Sequence, residues 1–366
     1  VGMLKMDFLG LKTLSIMKDA IRNIRKRHRI DLDIEKVALD DPRTFELFQR
    51  GDTIGTFQFE SEGMRQYLRE LKPSSLEDLI AMNALYRPGP MEFIPVFIRR
   101  KHGKEKVEYP HPDLEDILAP TYGIMVYQEQ IMQAAQILAG FSLGHADVLR
   151  RAMGKKKMEV MERQKAMFVE GAAGKGIGKE KAEEVFATMQ EFAKYGFNRS
   201  HSAAYSVVAY RTGYLKANYP AEYMAAVLTH NLSDIKKITQ FTEECRHQGI
   251  QVLGPDINES QLDFTVNAQG QIRFGMAAIK GMGENAVREI IREREERGPF
   301  NNIFDLAKRI NLRTVNRRSL ESLAMAGAFD SFSGTHRAQY FFKESQDETT
   351  FLDRVVRYAQ SWQERQ

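Results

Sequence analysis

The stretch Phe192-Ala193-Lys194-Tyr195-Gly196-Phe197-Asn198-Arg199-Ser200-His201-Ser202-Ala203-Ala204-Tyr205 gathers cations, hydroxyls and an imidazole around one aromatic-glycine corner. Gly196 has access to positive φ and so offers an end for a helix running through Val185 to Phe192. Ser200 or Ser202 can cap the next helix, expected from Ala203 to Lys216. That helix start would expose N–H groups beside Arg199 and His201, which is the arrangement of an anion site. A polar turn between two helices is the competing reading, and local chemistry alone leaves the two open.

Composition sets the frame. With 366 residues, 43% hydrophobic and 28% charged, the chain is long enough for two or three globular units. A net charge of +4 decides little, but its clustering is informative. Lys18, Arg22, Arg25, Lys26 and Arg29 form a basic helical stripe, and Arg150, Arg151, Lys155, Lys156 and Lys157 a basic patch. A single cysteine, Cys245, excludes an internal disulfide and a cysteine-based zinc site, and suits a reducing cytoplasm. No apolar run reaches membrane-spanning length and no signal peptide opens the chain. It starts Val-Gly, without a complete domain before its first motif, so a fragment is expected.

Residues 3–9 alternate as a short strand would, with Lys5 and Asp7 on one face. Such a pair can hold a metal and a phosphate, or be an ordinary exposed ion pair. The helix from Thr13 has Leu14, Met17, Ile21 and Ile24 as its expected core face. Asp31-Leu32-Asp33 reads as a solvated, non-catalytic turn before Pro42. Ser74-x-x-Glu77 is a capping box for a helix Leu76 to Leu85, which runs into the stiff loop Tyr86-Arg87-Pro88-Gly89-Pro90. Such a loop presents a cation and an aromatic.

The helix after Thr121–Gln130 turns Ile131, Met132, Ala135, Leu138 and Ala139 inward. In Ala146-Asp147-Val148-Leu149-Arg150-Arg151-Ala152-Met153-Gly154-Lys155-Lys156 the cations read as a cluster without carboxylates, which favours a polyanion partner. Gly171-Ala-Ala-Gly174-Lys175-Gly176-Ile-Gly178-Lys179 fails as a phosphate loop, since its spacing is wrong and no apolar strand precedes it. A flexible connection between helices is expected there. Residues 250–276 read as short strands or hairpins, with turns at Gly254-Pro255, Asn267 and Gly270. Ile279-Lys280-Gly281-Met282-Gly283, followed by a helix with Val287, Ile290 and Ile291 inward, offers backbone N–H groups to a DNA phosphate. Arg317, Arg318 and a second helical segment, Leu320 to Phe329, would complete a paired helix-hairpin-helix. Phe351, Leu352, Val355, Val356 and Tyr358 suggest an amphipathic helix.

Six strings together resemble the family-C bacterial replicative DNA polymerases, the polymerase III alpha subunits. They are Met6–Leu14, Gly55–Arg65, Ala84–Met91, Thr121–Gln130, Ala146–Lys156 and the corner, which is similar to Tyr-Gly-Phe-Asn-Lys-Ser-His-x-x-x-Tyr with Arg199 in place of the usual lysine. The resemblance implies a mainly α fold with short β segments. It divides the chain into a palm edge (1–12), fingers (13–249) and a strand segment with tandem helix-hairpin-helix (250–366). It implies transfer of a deoxynucleotide to a primer 3′-hydroxyl with two Mg2+ ions, Asp7 being catalytic and a metal ligand. Lys5, Arg87, Arg150, Arg151, Lys155, Lys156, Asn198, Arg199, Ser200 and His201 would face the nucleotide. Lys280, Gly281, Gly283, Arg317 and Arg318 would face DNA. Primer–template, deoxynucleoside triphosphates, a sliding clamp and other replisome subunits are the implied partners, in the cytoplasm and without a membrane. A damage-tolerant relative and a non-enzymatic helix-hairpin-helix DNA-binding protein are the rival readings. An Asp-x-Asp strand preceding Val1 would identify the polymerase.

Overall fold

The computed structural model describes all residues except 1, 4, 7–9, 156, 157, 344–348 and 366, and the side chains of 154, 155 and 158 are likewise outside the description. The chain is mainly α with short β segments and forms two compact units, Glu35–Ala217 and Val1–Ile34 with Asn218–Gln366.

The unit Glu35–Ala217 is helical, and its caps are written locally. Asp41 accepts from Thr44 N at 2.9 Å ahead of the helix Pro42–Arg50, which closes at Gly51 with φ 69°. One core joins Phe48, Phe59, Leu68, Leu79, Phe97 and Tyr210. Another joins Leu114, Ile131, Leu138, Phe168, Phe186 and Met189. Within the stretch expected to connect two helices, residues 175–178 do so, whereas Gly171 and Gly174 belong to the helix Met158–Gly174. A Cβ on Gly171 would lie 2.2 Å from the Ala139 carbonyl oxygen, so this glycine serves close approach to the helix Gln128–Ala139. Lys175 donates to the carbonyl of Ile137 at 2.6 Å and caps that helix's free end. The capping box is also corrected. Asp78, not Glu77, accepts from Ser74 N at 2.9 Å, and Lys101 pairs with it at 2.9 Å.

In the other unit, the helix Lys12–His28 buries Ile16, Met17, Ala20 and Ile24. Leu14, expected inside, is 53% exposed, because it sits about 100° around the helix from the centre of that stripe. Lys18, Arg22, Arg25, Lys26 and Arg29 are exposed, as a solvated face would be. Arg27 and His28 reach the buried Glu222 at 2.7 and 2.8 Å. Burial opposes the charge on Glu222, but these hydrogen bonds win and hold its carboxyl below the usual range. The expected strand at 3–9 is absent among its described residues.

A small sheet comprises β1 (Val252–Leu253), β2 (Thr265–Val266) and β3 (Ile272–Arg273), in the order β1-β3-β2. β2 and β3 form the expected hairpin, with Gly270 at φ 81° in its turn, and β1 lies parallel to β3. The helices Glu284–Arg297, Ile303–Arg309, Arg317–Ala326 and Phe351–Gln363 then share a core containing Val287, Ile290, Leu306, Leu323, Phe329 and Val355.

Candidate functional site

The corner is held by backbone, and not in the way glycine suggested. Gly196 does not take positive φ, and Lys194 at the end of the helix Lys179–Ala193 is still right-handed. A Cβ at 196 would come within 3.2 Å of Gln128 Cγ, so the corner packs tightly against that side chain. Phe197 N donates to the Val126 carbonyl at 3.2 Å, and Gln128 N donates to the Phe197 carbonyl at 2.9 Å. From the proline-rich loop, Arg87 Nη2 donates to the Tyr195 carbonyl at 2.6 Å and Nε to the Ala84 carbonyl at 2.9 Å. Its guanidinium lies 4.5 Å from the Phe197 ring centre, and burial lowers its pKa. Gly89, at φ 101°, lets this loop approach, since a Cβ there would meet the Tyr195 ring at 2.5 Å. Residues 84–91, 121–130 and 192–205 therefore converge on one place.

The helix after the corner starts at Arg199, earlier than expected. Neither serine caps it. Asn198 Oδ1 accepts from His201 N at 2.7 Å, Ser200 is exposed, and buried Ser202 donates to the Ile80 carbonyl at 2.7 Å. The expected anion site at this helix start exists, and a carboxylate of the same chain fills it. Glu129 accepts from Arg199 N at 3.0 and 3.2 Å and from Asn198 Nδ2 at 2.8 Å. Arg199 Nη2 donates to both oxygens of Glu77, at 2.8 and 2.9 Å, which raises its pKa. The exposed His201 leans on Tyr205, with ring centres 4.3 Å apart.

Arg150 and Arg151 are not free of carboxylates. Asp147, three and four positions earlier, accepts from Arg150 Nη2 at 2.7 Å and Arg151 Nε at 2.8 Å. Arg150, then Arg151, holds the Asp147 carboxyl below its usual range. Arg150 Nη1 also reaches Gln128 Oε1 at 3.4 Å, and Gln128 Nε2 donates to the Gly196 carbonyl at 3.2 Å, so Arg150 joins the corner. Lys155 ends the helix Leu143–Lys155. Lys156 and Asp7 lie outside the described residues, and Lys5 is exposed in the other unit. Among the described residues, no three His, Cys, Asp or Glu side chains form a group that could hold a metal. Sequence reasoning missed Glu77, Glu129 and Asp147. Asp147 was legible from helical spacing, whereas Glu129 meets Arg199 across 70 positions and leaves no local trace.

At the hairpin turn, Lys280 is exposed and Gly281 takes φ 89°, with its would-be Cβ 2.9 Å from Ser322 Oγ. Gly283 is exposed, with no atom within 4 Å of a Cβ, and directly precedes the helix Glu284–Arg297. The element before the turn is one 3-10 turn, Met276–Ala278, rather than a full helix. Arg317 is engaged by Asp353 at 2.5 Å and Glu321 at 2.9 Å, while Arg318 is exposed.

Residues 13–176 match the family model of the bacterial DNA polymerase III alpha subunit finger domain, and residues 249–340 match that of a helix-hairpin-helix motif. The chain is 51% identical over 342 residues to the DNA polymerase III subunit alpha of Thermus aquaticus, covering 92% of this chain and 28% of that protein. It is 48% identical over 348 residues to that of Escherichia coli strain K12, covering 92% and 30%. The chain belongs to the bacterial DNA polymerase III alpha subunit family. It spans less than a third of the length of these relatives. The polymerase III alpha finger match contains Arg87, Glu129, Arg150 and Arg151, and the helix-hairpin-helix match contains Lys280, Gly283 and Arg318. Residues 192–205 fall between the two matched stretches. No helix among the described residues is long and apolar enough to cross a membrane.

Proposed function

We propose that this chain supplies the nucleotide-facing fingers and the first duplex-binding elements of a replicative, template-directed DNA polymerase. The observation that carries this reading is the convergence of three family strings on the corner around Arg87, Gln128 and Phe197. The exposed Ser200 and His201 at the corner, with Arg150 tied to it through Gln128, offer donors and positive charge to a triphosphate. Lys280, Gly281, Gly283, Arg317 and Arg318 form a separate set suited to duplex phosphates. Residues 1–12 would be the palm edge, 13–249 the fingers and 250–366 the duplex-binding region. The reaction would be attack of a primer 3′-hydroxyl on the α-phosphate of a deoxynucleoside triphosphate.

The resemblance implies two Mg2+ ions as Lewis acids, with Asp7 as one ligand and the others outside this sequence. Among the described residues no three His, Cys, Asp or Glu side chains gather into such a site. Primer–template, nucleotides, a sliding clamp and other replisome subunits are the proposed partners, in the bacterial cytoplasm.

The test is Asp7→Asn in the polymerase that carries this chain. Loss of a metal ligand should cut primer extension by about a hundredfold or more while primer–template affinity stays near the parent's. Near-parental turnover would make Asp7 a surface aspartate and remove the palm assignment.

A further inference from the structure

The helix start Arg199–Asn218 lies on the surface where the proposed function seats a triphosphate, and it already carries two carboxylates. Glu129 takes the backbone N–H of Arg199 and the side chain of Asn198, and Glu77 takes the Arg199 guanidinium. In the same cluster the Tyr127 hydroxyl is buried without a hydrogen-bond partner, although Arg199 lies 5.7 Å from its ring centre. Burial and then the Glu77 carboxylate push its phenol up, with a smaller push from Glu129, so the hydroxyl keeps its proton and is a donor lacking an acceptor. Buried donors are rarely left so, and this one belongs to a ring that lies by the Arg199 guanidinium held by Glu77.

We propose that Glu129 and Glu77 form an internal anion latch on the fingers, which the incoming triphosphate displaces; the latch rests on the nucleotide-facing reading of the corner. Rearrangement would release the Arg199 N–H and guanidinium to phosphate oxygens and leave a carboxylate for the Tyr127 hydroxyl. The latch has two arms, Glu129 on the Arg199 backbone N–H and Glu77 on its Nη2. The ion pair is half exposed on both sides, so its contribution to fold stability is small. Its effect falls on nucleotide affinity, because displacing the carboxylates subtracts from triphosphate binding.

The test uses the polymerase carrying this chain, on saturating primer–template at low and high salt. Glu129→Gln keeps an amide oxygen for Asn198 and Arg199 but removes the charge. It should lower nucleotide KM about fivefold at low salt, with the gain shrinking at high salt. The inhibition constant of inorganic tripolyphosphate should fall by the same factor. Glu77→Gln should move both constants in the same direction, and serves if the first variant does not fold. A purely structural role would instead raise KM and lower the thermal midpoint. An unchanged or raised KM in a folded variant overturns the latch. The underlying reading has its own control, Ser200→Ala with His201→Ala in the parent sequence. If that variant leaves KM and the tripolyphosphate constant unchanged, this surface does not face nucleotide and the latch falls with it.

Discussion

Arg87 donates to the carbonyl oxygen of Tyr195 at 2.6 Å, across 108 positions of sequence. That bond fastens the Pro88-Gly89-Pro90 loop to the corner, and its guanidinium also covers Phe197. Arg87→Ala would leave a partly buried carbonyl without its charged donor, a loss of about 1–3 kcal/mol. Arg87→Lys should recover part of it, because an ammonium cannot serve the Ala84 and Tyr195 carbonyls in the planar geometry of the guanidinium. Amide hydrogen exchange at Gln128 and Phe197 is the measurement. It should quicken by about tenfold per 1.4 kcal/mol, with alanine ahead of lysine.

Gly171 and Gly174 belong to one helix but should respond oppositely to alanine. Helix propensity favours alanine by about 0.5–1 kcal/mol at either position. At Gly171 the new Cβ would sit 2.2 Å from the Ala139 carbonyl oxygen, and backbone cannot step aside cheaply. Overpacking costs about 1–3 kcal/mol and wins there. Gly174 has nothing within 4 Å. Urea unfolding should show Gly171→Ala destabilised and Gly174→Ala level or slightly stabilised.

Asp353 links stability to acid. Arg317 at 2.5 Å, then Thr350 N–H at 2.9 Å and its hydroxyl at 2.7 Å, lower its pKa to about 2 from an ordinary value of about 3.9. A depressed carboxylate pKa stabilises fully above the unfolded value, and the stabilisation drains away as pH falls through 4 towards 2. Discounted for its partial exposure, the contribution is about 1–2 kcal/mol at pH 6. Asp353→Asn should be less stable than the parent by that amount at pH 6, and the gap should close below pH 4. A constant gap across a urea series from pH 6 to 2.5 would show that the carboxylate charge contributes nothing.

The two glycines of the hairpin turn separate folding from binding. Gly281 has φ 89° and Ser322 Oγ beside it, so valine there should cost more than about 2 kcal/mol. Gly283 has open space and ordinary φ, so valine should cost about 0.5–1 kcal/mol through a poorer helix start. Gly283→Val should nevertheless weaken duplex binding by keeping a phosphate from the turn. The salt slope of log K should fall by about 0.9 for each DNA phosphate no longer neutralised. Unaltered affinity and slope would remove this turn from the DNA surface.

Arg151 should affect the other ligand. Its side chain is 66% exposed and pairs with Asp147 on its own helix, so it is available to phosphate. Arg151→Ala should raise nucleotide KM or lower kcat on saturating DNA, with primer–template affinity little changed. A shift in the DNA constant with unaltered nucleotide kinetics would move Arg151 to the duplex surface.

The helix Leu76–Leu85 was legible to its ends, and the helices Gln128–Ala139 and Phe351–Gln363 were legible in place though not in bounds, because helix formation depends on partners within about four positions. The β2–β3 hairpin was legible for the same reason, through Asn267 and Gly270. The recurring strings were legible as well, and they carried the family assignment. Local reasoning failed where a partner was distant. Gly171 is small for the Ala139 carbonyl, and that reason is not visible from neighbouring residues. The anion-binding character of the Arg199 helix start was readable from its sequence, but its occupant was not. Glu129 and Glu77 arrive there from 70 and 122 positions away, carried by helices whose placement depends on burial of Ile131 and Leu79. Apolar burial has no sequence direction, so it specifies that such faces must be covered and leaves the three-dimensional packing to select which charges then meet.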